Sequence, residues 1–87
     1  MASYLICYEL VTNKDDSRLI AKLKSFGIWG RVIGNTWVIQ SDKNFVELRD
    51  EISECIENND RLLVVKTDNA AAWKNVICSN EWLKAHV

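Results

Sequence analysis

The sequence predicts an α+β domain: one four-stranded antiparallel sheet, two helices on one of its faces, and a short helical C-terminal tail. Three observations carry that expectation. Four segments are dense in β-branched and aromatic residues, which suit a pleated sheet. Two segments between them place apolar residues every three or four positions, the period of a helix with one buried stripe. Their order along the chain is strand, helix, strand, strand, helix, strand.

The first strand, residues 3–10, is apolar at almost every position and carries one carboxylate, Glu9, near its end. A half-buried strand alternates apolar with polar, so this one is expected to be covered on both faces. A polar turn over residues 11–16 follows, in which Asp15 or Asp16 can cap a helix. Residues 17–26 then set Leu19, Ile20, Leu23 and Phe26 on one helical face, with Gly27 as the C-terminal stop. Residues 28–33 and 36–41 flank Gly34-Asn35, a pair suited to a tight hairpin. The second helix begins near Asn44, where Asn44 and Glu47 form a capping-box-like pair, and its apolar stripe runs through Phe45, Leu48, Ile52, Cys55 and Ile56. Residues 61–67 form a fourth strand, again without alternation. In the tail, residues 69–74 read as a helical turn and 79–86 as another, capped by Ser79.

This order is that of the ferredoxin-like split unit. Residues 1–67 make the βαββαβ domain, and 68–87 a tail packing on that domain or across a dimer. Both helices lie on one face of such a sheet. Since the first and fourth strands are greasy on both sides, a second subunit, the tail, or both are expected over the other face, and a two-fold homodimer is the commonest arrangement.

Composition narrows the rest. At 87 residues the chain is one domain with a thin core, and 48% hydrophobic content excludes disorder. A net charge of −1 argues against coating nucleic acid through bulk charge. Cys7, Cys55 and Cys78 are odd in number and lack CxxC spacing, so they read as reduced thiols of a cytoplasmic protein. Neither a signal peptide nor a membrane span is expected, hence no membrane partner.

The residues also resemble a family. Tyr4-Leu5-Ile6-Cys7-Tyr8-Glu9-Leu10, Asn35-Thr36-Trp37-Val38-Ile39, Leu48-Arg49-Asp50-Glu51, Asp60-Arg61-Leu62-Leu63-Val64-Val65-Lys66, Ala71-Ala72-Trp73 and Glu81-Trp82-Leu83-Lys84 are similar, in order and spacing, to the small SinR-like family. That family is grouped by fold with the smaller CRISPR adaptation subunit (Cas-two type) and toxin-like proteins. The resemblance implies a ferredoxin-like homodimer. In the nuclease members, an aspartate ending the first strand meets its two-fold mate and holds a divalent metal. Here that position is Glu9. Its extra methylene moves the carboxylate by about a bond length, and octahedral Mg²⁺ tolerates misplacement badly.

Glu9 is therefore a metal or ligand contact near a two-fold axis, or else a strand-end residue that is solvated or paired with Arg31 or Lys66. Tyr8 could stack on a base, though a strand tyrosine more often joins the core. Arg18, Lys22 and Arg31, with Lys14 and Lys24, could track a phosphate backbone or simply be solvated. Trp37 and Trp29 bracket the hairpin, and Trp73 and Trp82 sit in the tail, as stacking platforms or as anchors of the core and tail. The lone histidine, His86, supports no catalytic triad, and no glycine-rich phosphate loop is present. The reading that emerges is a non-catalytic homodimeric binding module, holding a nucleic acid or small nucleotide at the inter-subunit groove and needing no cofactor. The alternatives are a nuclease using Glu9 with Mg²⁺ or Mn²⁺, and a phage-defence or toxin–antitoxin accessory that binds another protein.

Overall fold

The computed structural model describes residues 1–87. Its elements run β1 (Ala2–Glu9), α1 (Ser17–Lys24), β2 (Trp29–Ile33), β3 (Thr36–Ser41), α2 (Phe45–Ser53), β4 (Arg61–Lys66) and α3 (Asn80–His86). The four strands form one antiparallel sheet in the order β2-β3-β1-β4. This is the ferredoxin-like arrangement, and β1 lies inside it with a neighbour on each side.

The strand's two-residue period divides β1 cleanly. Tyr4, Ile6 and Tyr8 point to the helices and are buried with Trp37 and Ile39 of β3, Leu19 and Leu23 of α1, and Leu48 and Ile52 of α2. Each such side chain is worth about 1.5–3 kcal/mol of transfer free energy, so this face holds the fold together. Leu5 and Cys7 point the other way and are only half-buried.

The capping box forms as the sequence predicts: Asn44 Oδ1 accepts from Glu47 N (2.9 Å), and the Glu47 carboxylate accepts from Asn44 N (3.2 Å). At α1 the side chain that accepts is that of Asp15, from Ser17 N at 3.0 Å, while Asp16 makes no capping bond. Both helices are shorter than their apolar stripes. Phe26, Cys55 and Ile56 still pack on the core, but from the turns that follow. Gly27 takes a φ of 88°, a conformation that glycine adopts without strain. Between Arg31 and Ile33 the hairpin carries a bulge.

The tail differs from expectation. Residues 69–74 are not helical. Asn69 and Asn75 both sit at φ 58°, left-handed positions that interrupt a right-handed turn despite the three alanines between them. The segment instead runs to the β2 edge, where Ile77 N and Cys78 N donate to the carbonyls of Val32 (2.8 Å) and Arg31 (3.0 Å). Helix α3 then forms as predicted, with Ser79 Oγ accepting from Trp82 N.

Helix α3 lies on the sheet face opposite α1 and α2, over β2 and β3. It buries Val38 and its own Leu83. Gly30 sits directly under the Trp82 ring: a Cβ there would meet Trp82 Cζ3 at 2.3 Å. The tail thus covers half of the second face. Along β4 the other half is bare, with Leu63 56% and Val65 41% exposed. No helix is long and apolar enough to cross a membrane.

Candidate functional site

The six residues singled out from the sequence fall in four places. Tyr8, Arg31 and Trp37 come together on the helix face. The Tyr8 hydroxyl donates to Asp16 Oδ2 at 3.1 Å, and Asp16 lies 3.7 Å from the Arg31 guanidinium. Arg31 also donates twice to Gly34 O and stacks 5.4 Å from the centre of the Trp37 ring. Burial pushes the Tyr8 phenol above its ordinary pKa, and the Asp16 carboxylate adds to the rise, so Tyr8 is neutral at physiological pH. Trp37 is 1% exposed and its buried Nε1 has no hydrogen-bond partner. With no open ring face, Trp37 offers a base no platform. Trp29, 5.4 Å from it and topped by the Lys24 ammonium at 5.1 Å, is the more accessible of the two.

Glu9 lies elsewhere, although it follows Tyr8 directly. Successive strand side chains point to opposite faces, so Glu9 stands at the rim of the second face. It meets neither Arg31 nor Lys66. Its partner is Arg61, directly opposite in the β1–β4 register, with Nη1 2.6 Å from Glu9 Oε1. Both side chains are largely exposed.

Lys22 is spent on the seam between the helices. Its ammonium is 2.6 Å from Glu51 Oε1, and Lys43 pairs with the other oxygen of the same carboxylate. These two lysines hold the Glu51 carboxyl below its usual range, Lys22 contributing most. Arg18, at the start of α1, is exposed and forms no ion pair; it borders a shallow pocket with Leu10, Asn13, Cys55 and Glu57. No group of three or more His, Cys, Asp or Glu side chains is placed to hold a metal ion.

A run of exposed apolar side chains surrounds β4. On the open face Leu63 and Val65 continue across the sheet to Cys7 and Leu5, their register partners on β1. Around the edge, on the helix side, Phe45 (52% exposed) and Val46 (44%) line a groove with Leu62 and Val64. Apolar side chains therefore flank both sides of an edge strand whose outward amides have no partner strand.

Of these surface residues, none was singled out as a site from the sequence. The non-alternating run from Leu62 to Val65 was its signal, since a strand greasy on both faces at a sheet edge must expose something. Arg61 was missed for want of the register; setting the first and fourth strands antiparallel would have found it. Compared with protein-family models, curated proteins and solved structures, the chain matches none.

Proposed function

We propose that the chain is a non-catalytic binding module of the cytoplasm that works as a homodimer, and that the β4 side of the sheet is where its partner sits. The observation that carries this reading is the exposure of large apolar side chains on both flanks of β4, from Leu63 and Val65 to Phe45 and Val46. Exposed apolar groups clustered this way mark docking surfaces. Sedimentation of the purified chain from 1 to 100 micromolar tests it. A concentration-dependent dimer is the expected result, and a single subunit throughout sinks the proposal.

The nuclease alternative would require Glu9 to leave Arg61 for a metal, and the 2.6 Å ion pair supports the binding reading over it. Metal-dependent cleavage of RNA or DNA that Glu9→Ala abolishes would reverse that preference. A nucleic acid or nucleotide as the dimer's ligand draws support from Lys14, Arg18 and Lys24, which form no ion pairs within the chain. Binding that weakens with added salt is its test.

A further inference from the structure

Resting on the homodimer reading, we infer how the two copies meet: edge to edge through β4, antiparallel, about a two-fold axis at Leu63, so that two four-stranded sheets become one of eight strands. The two edges of the sheet are treated differently by the chain. At β2, Ile77 and Cys78 donate their amides to the strand's carbonyls and the tail guards that side. At β4 nothing does. Edge strands that stay single are normally blunted by proline, bulges or central charges. Strand β4 has no proline and no bulge, and its charges, Arg61 and Lys66, stand only at its ends.

The flanks decide between stacking and strand addition. A second copy laid face to face would cover Leu63 and Val65 but leave Phe45 and Val46 in water. A strand added at the edge, with its own helix beside it, touches both sets at once: Phe45 and Val46 meet the partner's helix side, while Leu63 and Val65 gain lateral contacts from the partner's strand on a face that stays open. It also satisfies the outward backbone groups. Thr67 N donates to Ser3 O, so by the strand period Arg61, Leu63 and Val65 turn their amides toward β1. Leu62, Val64 and Lys66 turn theirs outward.

Symmetry then limits the register. Antiparallel strands side by side in one sheet are exchanged only by a two-fold axis perpendicular to it, which sets some residue opposite its own copy. Centring on Leu63 pairs Leu62 with the partner's Val64 through the outward amides. It also brings Lys66 opposite the partner's Asp60, twice per dimer; that carboxylate already accepts from Val11 N and Glu57 N of its own chain (2.8 Å each) and so offers its charge rather than a free oxygen. Lys66 has no ion pair within its own chain. Centring on Val64 instead would oppose Asp60 to the partner's Asp68 and set Lys66 against the partner's Leu62. Centring on Leu62 would set Val64 against the partner's Asp60 and leave Lys66 beyond the partner's strand. The Leu63 register sets Arg61 against the partner's Val65, but of the three it alone opposes unlike charges, and that selects it.

Single-cysteine cross-linking tests the register. In a Cys7→Ala, Cys55→Ala, Cys78→Ala background, needed because Cys7 lies opposite Leu63 in the same chain, Leu63→Cys places two thiols at a non-hydrogen-bonded pair. There the Cα atoms lie about 4.5 Å apart, within disulfide range. Mild oxidation should convert most of this variant to a covalent dimer. Val65→Cys, whose copies stand about 13 Å apart along the strands, should stay monomeric on a non-reducing gel. Far-UV circular dichroism of both reduced variants confirms that they are folded. In the otherwise unaltered chain, Lys66→Glu should weaken dimerisation about tenfold at low salt, since it opposes like charges twice. Should Leu63→Cys cross-link no better than Val65→Cys, or Lys66→Glu leave the dimer unchanged, this register is wrong while a dimer seen by sedimentation still stands. A monomeric parent chain overturns both.

Discussion

Replacing Gly30 by alanine tests whether the tail is a fixed part of the fold. The new Cβ would lie 2.3 Å from Trp82 Cζ3 and 2.7 Å from Cε3 and Cη2, where carbon atoms normally keep about 3.5–4.0 Å. The ring must withdraw by roughly 1 Å to restore that contact. It cannot do so alone, because Trp82 stacks on His86 at 4.2 Å and the neighbouring Leu83 is buried on the sheet. Overpacking of this kind costs about 1–3 kcal/mol. Relief of the glycine's unfolded-state entropy returns about 0.5–1 kcal/mol. The net loss then centres on about 1 kcal/mol, which in a domain of this size lowers Tm by about 4–8 °C. Thermal unfolding followed by circular dichroism measures it. A Trp82→Ala background supplies the control: with the ring gone, Gly30→Ala should be neutral or slightly stabilising. An unchanged Tm for Gly30→Ala in the parent chain would refute the reasoning, as would equal losses in both backgrounds.

Three further outcomes follow from the geometry. Asn44→Ala removes the acceptor for Glu47 N and should cost about 1 kcal/mol in urea unfolding. Leu63→Asp should leave the fold intact, because the side chain is more than half exposed, yet abolish the dimer in sedimentation. Glu51→Gln should cost about 0.5 kcal/mol at neutral pH, since its bonds to Lys22 and Lys43 are partly solvated. The depressed Glu51 carboxyl contributes stability above the ordinary glutamate value of about 4.3 and loses it as pH falls through the lower folded value. Lys22 is raised by the same bond, so its contribution is full below about 10.4 and is lost as pH rises past the folded value. Unfolding followed from pH 7 downward and upward should therefore show the parent's advantage over the variant shrinking in both directions.

Most of the fold was legible because short-range chemistry and tertiary packing agree. The glycine–asparagine loop, the Asn44–Glu47 cap and the helical stripes each name one local structure, and each forms. The tail from Asn69 to Lys74 was misread where they disagree. Ala70, Ala71 and Ala72 favour a helix, but the backbone bonds to Val32 and Arg31 and the left-handed asparagines direct the chain across the β2 edge. The candidate site was less legible, for reasons of register. Tyr8 and Glu9 are neighbours in sequence and face opposite ways in space. Arg31 and Arg61 carry the same charge, but only Arg61 lies opposite Glu9. Lys22 is indistinguishable from a free surface lysine until α2 brings Glu51 beside it.

The position of β1 has a consequence for how the chain acquires its structure. The strand precedes both of its neighbours, β3 and β4, in the chain, and Tyr4 waits for Lys66 before its second ladder can close. Such distant pairings delay folding, because loop closure must precede the contacts that reward it. A nascent chain halted before Arg61 would hold a hairpin and two helices around a strand with one side unfilled. Cooperative assembly is then deferred until the segment through Lys66 is free to pair.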